Sequence, residues 1–208
     1  MKPFSNAAGT GSKREKSPLS PPSILFESQL KSLSAASTHG PIVDLACGRG
    51  RHALAAAQRG WPVIGLDRNR KFLKELQETS RSSNLPISPV FTDLETPFGI
   101  PLKKGSAGAV LVFRFLYRPL AQAIEALLAP GGLLLYETFT TAQAQRATGP
   151  SNPSFLLKPG ELKKLFPTLE TLHYSEAPDM EKIRGPHESP GDESQDETWA
   201  RLVARKRP

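Results

Sequence analysis

From Pro41 onward the hydrophobic pattern switches back and forth between two periods. Short apolar runs at 42–46, 62–66, 88–92, 107–113 and 132–139 read as buried strands. Between them, apolar residues recur at helical spacing over 50–59, 69–81 and 119–129. Gly60 is placed to end the first of these helices, Pro119 to open the third, and "APGG" (129–132) to turn the chain. Strand and helix in alternation predict a mostly parallel sheet with helices on both faces and right-handed crossovers.

The two ends break this rhythm. Residues 1–22 ("MKPFSNAAGTGSKREKSPLSPP") are rich in Ser, Lys, Gly and Pro. They have too little to bury, so a disordered tail is expected there, with a folded domain over 23–208. Residues 23–36 space Ile24, Leu25, Leu30 and Leu33 as one amphipathic helix, broken by "THGP". Near the other end, "KPGELKKLFP" (158–167) predicts a short helix. "TLETLHYSEA" (168–177) and "ETWARLVARK" (197–206) alternate like strands. Only a polar, acid-rich loop (186–197) separates them, so they are expected to pair antiparallel.

Composition narrows the class. A chain of 208 residues suits one domain, and its 38% apolar content is diluted by the ends. No apolar run reaches the roughly 18–20 residues of a membrane-spanning helix, so no membrane partner is expected. No hydrophobic core of a secretory signal is present in the N-terminal residues. The single cysteine, Cys47, excludes an internal disulfide and fits a reducing, cytoplasmic setting. One Cys and four scattered His give no metal site. The net charge of +7 is spread along the chain. It reads as a solvated surface or as an RNA-facing patch.

The chemistry concentrates in "IVDLACGRGRHALAAAQRGWPVIGLDRN" (42–69). The turn puts Gly48 and Gly50 where a strand bends into a helix. Glycine tolerates positive φ and leaves space for a ligand against the backbone. The helix start offers free N–H groups. Asp67 ends the second strand, where a carboxylate accepts hydrogen bonds from ribose hydroxyls. The spacing Gly48-Arg-Gly50-Arg-His-Ala53 also satisfies the dinucleotide pattern, so an NAD(P)-dependent oxidoreductase competes with an S-adenosylmethionine enzyme. Two further acids weigh on the choice. Asp44, inside the first strand, suits an ammonium better than a pyrophosphate. Asp93, in "FTDLETP", is placed to accept from an adenine amino group.

The ordered segments "VDLACGRGRHA", "GLDRN", "TDLE", "AVLVFRFLYRPL" and "APGGLLLYETF" resemble class I S-adenosylmethionine-dependent methyltransferases over about residues 40–207. Within that class, "CGRGRHA" and "YETFT…GPSNPSFLLKPGEL" look most like small bacterial tellurite-resistance-like methyltransferases. The resemblance implies an α/β, Rossmann-like, doubly wound sheet of seven strands, mostly parallel with an antiparallel last strand. It implies S-adenosyl-L-methionine as cofactor, held by Asp44, Ala46, Gly48, Gly50, Asp67, Arg68, Asp93 and Leu94, with Phe113 at the fourth-strand loop.

The acceptor is expected beyond strands four and five. No Asn/Asp-Pro-Pro-Tyr-like tetrapeptide follows strand four; "FRFLYRP" stands there, which disfavours base-amine or glutamine methylation. A small-molecule acceptor is expected, with RNA or a non-catalytic, RNA-associated cofactor-binding role as the alternatives. Arg114 and Arg118 are candidates for an anionic acceptor or a surface pair. Thr138 joins them as a substrate contact. Glu137 is the candidate general base, and Tyr117 either orients the acceptor or packs a core edge. His52 and Cys47 read as packing residues, Trp61 and Trp199 as core. Residues 150–162 form a lid or a plain connector.

Overall fold

A computed structural model of the protein describes residues 18–176 and 198–208. Most of the expected tail (1–17) and the acid-rich loop at 186–197 lie outside the described residues. Seven strands form one sheet in the order β3-β2-β1-β4-β5-β7-β6. They are β1 (Ile42–Leu45), β2 (Val63–Asp67), β3 (Ile87–Phe91), β4 (Ala107–Phe113), β5 (Leu128–Phe139), β6 (Glu170–Glu176) and β7 (Trp199–Arg205). The first five pair in parallel, and β7 slots antiparallel between β5 and β6. The expected terminal hairpin is therefore present, and only β7 runs against the rest.

Both faces of the sheet are covered, as a near-continuous apolar β4 requires. All seven β4 residues are buried. Val110 and Val112 face one core with Ile124, Leu134 and Phe166, beneath α5 (Ala121–Leu127) and α6 (Glu161–Lys164). Ala109 and Leu111 face the other core. There α1 (Ile24–Ser28), α2 (Leu30–Ala36), α3 (Arg51–Ala57) and α4 (Arg70–Ser82) contribute Phe26, Leu33, Ala53 and Leu76. At the β3 edge of the sheet Pro89 is tolerated, because an edge strand has one unpaired side.

Local chemistry reshapes three expected elements. The helix expected over 23–36 breaks at Gln29. The Ser28 hydroxyl donates to the Leu25 carbonyl at 2.9 Å, and the Gln29 amide turns to Phe26 O at 3.2 Å. A serine thus takes the acceptor that would continue the helix. The "APGG" turn is a bulged start to β5: Leu128 pairs with Ala107, the register shifts, and Gly131 N donates to Lys206 O. The helix expected over 158–167 shrinks to the single turn of α6.

One glycine decides how tightly the N-terminal helices seat on the sheet. A Cβ on Gly108 would lie 2.2 Å from Ala36 O and 2.5 Å from Gly40 O, both backbone. Gly108→Ala is therefore expected to cost about 3 kcal/mol of stability in chemical denaturation. Gly105→Ala, with φ 69 and nothing within 4 Å, should cost about 1 kcal/mol. Equal losses would contradict the packing assigned to Gly108.

Candidate functional site

A crevice opens beyond the carboxyl ends of β1, β2, β4 and β5. The turn that floors it is braced from two sides. After β1 the backbone enters the left-handed region at Ala46 (φ 53) and again at Gly48 (φ 56) and Gly50 (φ 80). For Ala46 that conformation is strained, at about 1–2 kcal/mol. Asp67, at the end of β2, holds the turn: Oδ2 accepts from Gly48 N and Oδ1 from Asn69 N, both at 2.7 Å. A Cβ on Gly48 would meet nothing within 4 Å, so its neighbouring space is open. A Cβ on Gly50 would strike Leu76 of α4 at 2.5 Å. The two glycines serve different ends, one beside the crevice and one in packing.

Asp44 sits beneath this turn, 1% exposed, its Oδ2 accepting from Ala53 N at 3.1 Å. Burial pushes its pKa up to about 7 against the pull of that N–H bond and of Arg51, with Asp67 adding to the rise. A carboxyl in this state is poised for a cation: an ammonium beside it would restore the ionised form.

Three cavities with shared walls lie around these residues. The first, about 330 Å³, is lined by Asp44, Ala46, Arg51, Phe113 and Arg114. The second, about 110 Å³, shares Ala46 and lies between Asp67, Arg68, Asp93, Leu94 and Phe115. The third, about 440 Å³, shares Arg51 and Arg114 and is completed by Glu137, Trp199 and Arg201. Of the expected cofactor residues, Asp44, Ala46, Asp67, Arg68, Asp93, Leu94 and Phe113 line the first two cavities. Gly48 and Gly50 shape the turn behind them. Arg68 reaches across to Glu95 at 2.6 Å and to Asp93 at 3.9 Å.

The expected acceptor residues divide. Arg114 and Glu137 lie together at the third cavity, where Arg114 N donates to Glu137 O at 2.9 Å. Glu137 is 4% exposed, and its Oε2 accepts from Arg201 Nε at 2.8 Å across the β5–β7 register. Arg118 is elsewhere. Its guanidinium pairs with Glu161 through Nε–Oε1 at 2.5 Å and Nη2–Oε2 at 2.9 Å. It also donates to the carbonyls of Ser154 and Leu156. It clamps the 153–161 segment instead of facing an acceptor. Thr138 is 1% exposed within β5 and lines none of these cavities, since its neighbour Glu137 takes the crevice side. Tyr117 packs against the core edge and likewise lines none of them.

Several site residues carried no such expectation. Residues 18–23, mostly assigned to the tail, lie along the first and third cavities. Arg51 Nη1 donates to Pro21 O at 3.0 Å, and Ser23 N donates to His52 Nε2 at 3.1 Å. Burial, followed by the charges of Arg51 and Arg114, lowers His52 to a pKa of about 3, so it stays a neutral acceptor for the strap. Its ring stacks on Phe113 at 3.8 Å. Burial pushes the Cys47 thiol far up, and a neutral thiol is a poor nucleophile. Trp199 is buried but stacks on Phe139 at 4.1 Å at the cavity wall. Its place follows from pairing with β5, which composition does not reveal. Among the described residues no helix is long and apolar enough to cross a membrane.

Comparison with known proteins agrees with this geometry. Residues 42–132 match the model of a family described as a methyltransferase domain. No curated protein matches the chain at a significant level. Among solved structures the chain resembles TehB from Haemophilus influenzae at 22% identity and a TM-score of 0.62, covering 85% of this chain and 62% of that one. It resembles an S-adenosylmethionine-dependent methyltransferase from Mesorhizobium loti at 19% identity and 0.61, covering 86% and 97%. It also resembles geranyl diphosphate C-methyltransferase from Streptomyces coelicolor A3(2), solved with S-adenosyl-L-homocysteine, at 15% and 0.61, covering 86% and 80%. The match to a methyltransferase domain thus spans 42–132, and the fold is the one seen in these S-adenosylmethionine-dependent methyltransferases.

The clamp on the 153–161 segment is testable on its own. A double-mutant cycle on Arg118→Ala and Glu161→Ala should give a coupling of about 1–2 kcal/mol, because the pair is bidentate and two-thirds or more buried. Coupling near zero would show that the clamp does not order the segment.

Proposed function

We propose that this chain transfers a methyl group from S-adenosylmethionine to a small-molecule acceptor. The observation that carries the reading is the buried Asp44 carboxyl beneath a glycine turn, in a cavity that shares Ala46 with the cleft of Asp67, Asp93, Leu94 and Phe115. Asp44 would hold the cofactor's ammonium. Asp67 has one N–H on each oxygen and keeps lone pairs for the ribose hydroxyls. Asp93 and Leu94 would border the adenine, with Phe115 opposite. The open space beside Gly48 fits a ligand lying against the turn. A pyrophosphate would meet the buried Asp44 carboxyl instead, which speaks against NAD.

The cofactor supplies a methyl already activated on a sulfonium, so the protein's task is placement. Holding the acceptor about 3–3.5 Å from the methyl, in line, supplies much of the rate. The cavity beside Glu137 is the place for that acceptor. Glu137 would take the acceptor's proton, with Arg201 fixing its carboxylate. Residues 20–24 wall the same cavity, which suits a small molecule better than a polymer. The S. coelicolor neighbour, whose substrate is geranyl diphosphate, is a small-molecule example of the fold.

S-adenosylhomocysteine is expected to raise the melting temperature, while NAD and NADP leave it unchanged. Ligand at a hundred times Kd should add about 2.7 kcal/mol. The affinity should depend on pH with a defined sign. The ammonium site needs Asp44 ionised, and its pKa of about 7 leaves it mostly protonated at pH 6. Affinity should therefore rise about eightfold from pH 6 to 7.5, with a proton released on binding. Asp44→Asn should weaken binding and flatten this profile. A larger shift with NAD, or a flat wild-type profile, would overturn the cofactor placement. Methyl label from S-adenosylmethionine recovered on RNA would overturn the small-molecule acceptor.

A further inference from the structure

Several arginines of the described chain are neutralised by an acid. Arg49 pairs with Glu75, Arg59 with Glu27, Arg68 with Glu95 and Arg118 with Glu161. Two others meet in one cavity. Arg51 and Arg114 both line the cavity beside Glu137, and neither has an ion pair among the described residues. Arg201 lines it too, paired with Glu137 at 2.8 Å. Three guanidiniums thus face one carboxylate, an excess of two positive charges.

This arrangement is costly without a ligand. Arg51 opens α3, Arg114 follows β4, and Arg201 lies in β7, so three separate elements bring like charges to one half-enclosed space. The Arg51 charge is disfavoured first by burial and then by Arg114. Arg114 also adopts φ 58, a left-handed conformation that residues with a Cβ avoid. Strain and like-charge repulsion gathered at a cavity wall are the marks of a functional site. Beside these charges stands a flat apolar surface: the Arg114 guanidinium lies 5.4 Å from the Trp199 ring centre, and Trp199 stacks on Phe139.

We propose that this cavity takes an acceptor bearing a carboxylate or phosphate, anchored on Arg51, Arg114 and Arg201 with its body against Trp199. The inference rests on the methyltransferase reading above and deepens it by giving the acceptor a charge class. Guanidinium forks match both oxyanions bidentately. Glu137 holds Arg201 in place and keeps the cationic excess to two. The segment from Ser20 to Ile24 covers the ligand from the solvent side.

The test uses the full chain saturated with S-adenosylhomocysteine, so that the cofactor's own carboxylate is already accommodated. Benzoate, phenyl phosphate and the neutral benzamide are titrated at matched ionic strength, with melting temperature and calorimetry as readouts. At least one of the two anions should stabilise the loaded protein, and benzamide should not. The stronger of the two names the oxyanion. Arg114→Gln keeps the backbone strain but removes the fork. It should weaken anion binding about tenfold or more, measured with S-adenosylhomocysteine kept saturating for the variant. Arg51→Gln serves if that variant misfolds. Absence of binding by both anions, equal binding of benzamide, or full anion affinity in Arg114→Gln would overturn the proposal. Failure of S-adenosylhomocysteine itself to bind would instead sink the underlying function.

Discussion

The site depends on one carboxylate. Asp67 accepts from Gly48 N and Asn69 N, one on each oxygen, both at 2.7 Å. Those bonds tie the end of β2 to the turn after β1 and to the start of α4. Charge-assisted bonds of this kind are about twice as strong as neutral ones. They keep a strained turn open, with Ala46 and Gly48 both at positive φ. Without them the turn would be free to collapse into the space where a ligand fits. The carboxylate therefore has a structural duty alongside its proposed hold on a ribose.

Around this brace the protein sets two charged compartments side by side. On the β1 side lies a buried acid, Asp44, held near neutrality by desolvation. On the β5 side lie the arginines and Glu137. A cationic cofactor group suits the first compartment, and an anionic acceptor suits the second. Arg51 and Arg114 border both. His52 ties the N-terminal strap to this boundary as a neutral acceptor, and protonation at Nε2 would take away the lone pair that Ser23 N uses.

Much of this was legible along the chain, and the reasons are physical. Short continuous apolar runs mark β1 and β2 because both faces of the sheet are buried, and helical spacing marks α3. Acids that close strands, such as Asp67, mark the crevice because strand ends carry ligands in open α/β sheets. Features set by long-range pairing were not legible. Arg201 meets Glu137 only through the β5–β7 register, and Trp199 reaches the cavity by the same route. Arg118 has the chemistry of an anion anchor, yet Glu161, 43 residues on, claims its fork. Residues 18–23 have little to bury, but two hydrogen bonds to α3 fix them over the site. Composition speaks to the average of a segment and cannot register such single contacts.

The most direct measurement is a crystal structure with S-adenosylhomocysteine bound. The account predicts the ammonium on Asp44, the ribose hydroxyls on Asp67, and the adenine between Asp93–Leu94 and Phe115. It predicts the sulfur facing the cavity of Arg114, Glu137 and Arg201. A ligand bound outside the crevice, or one whose sulfur points away from that cavity, would contradict it.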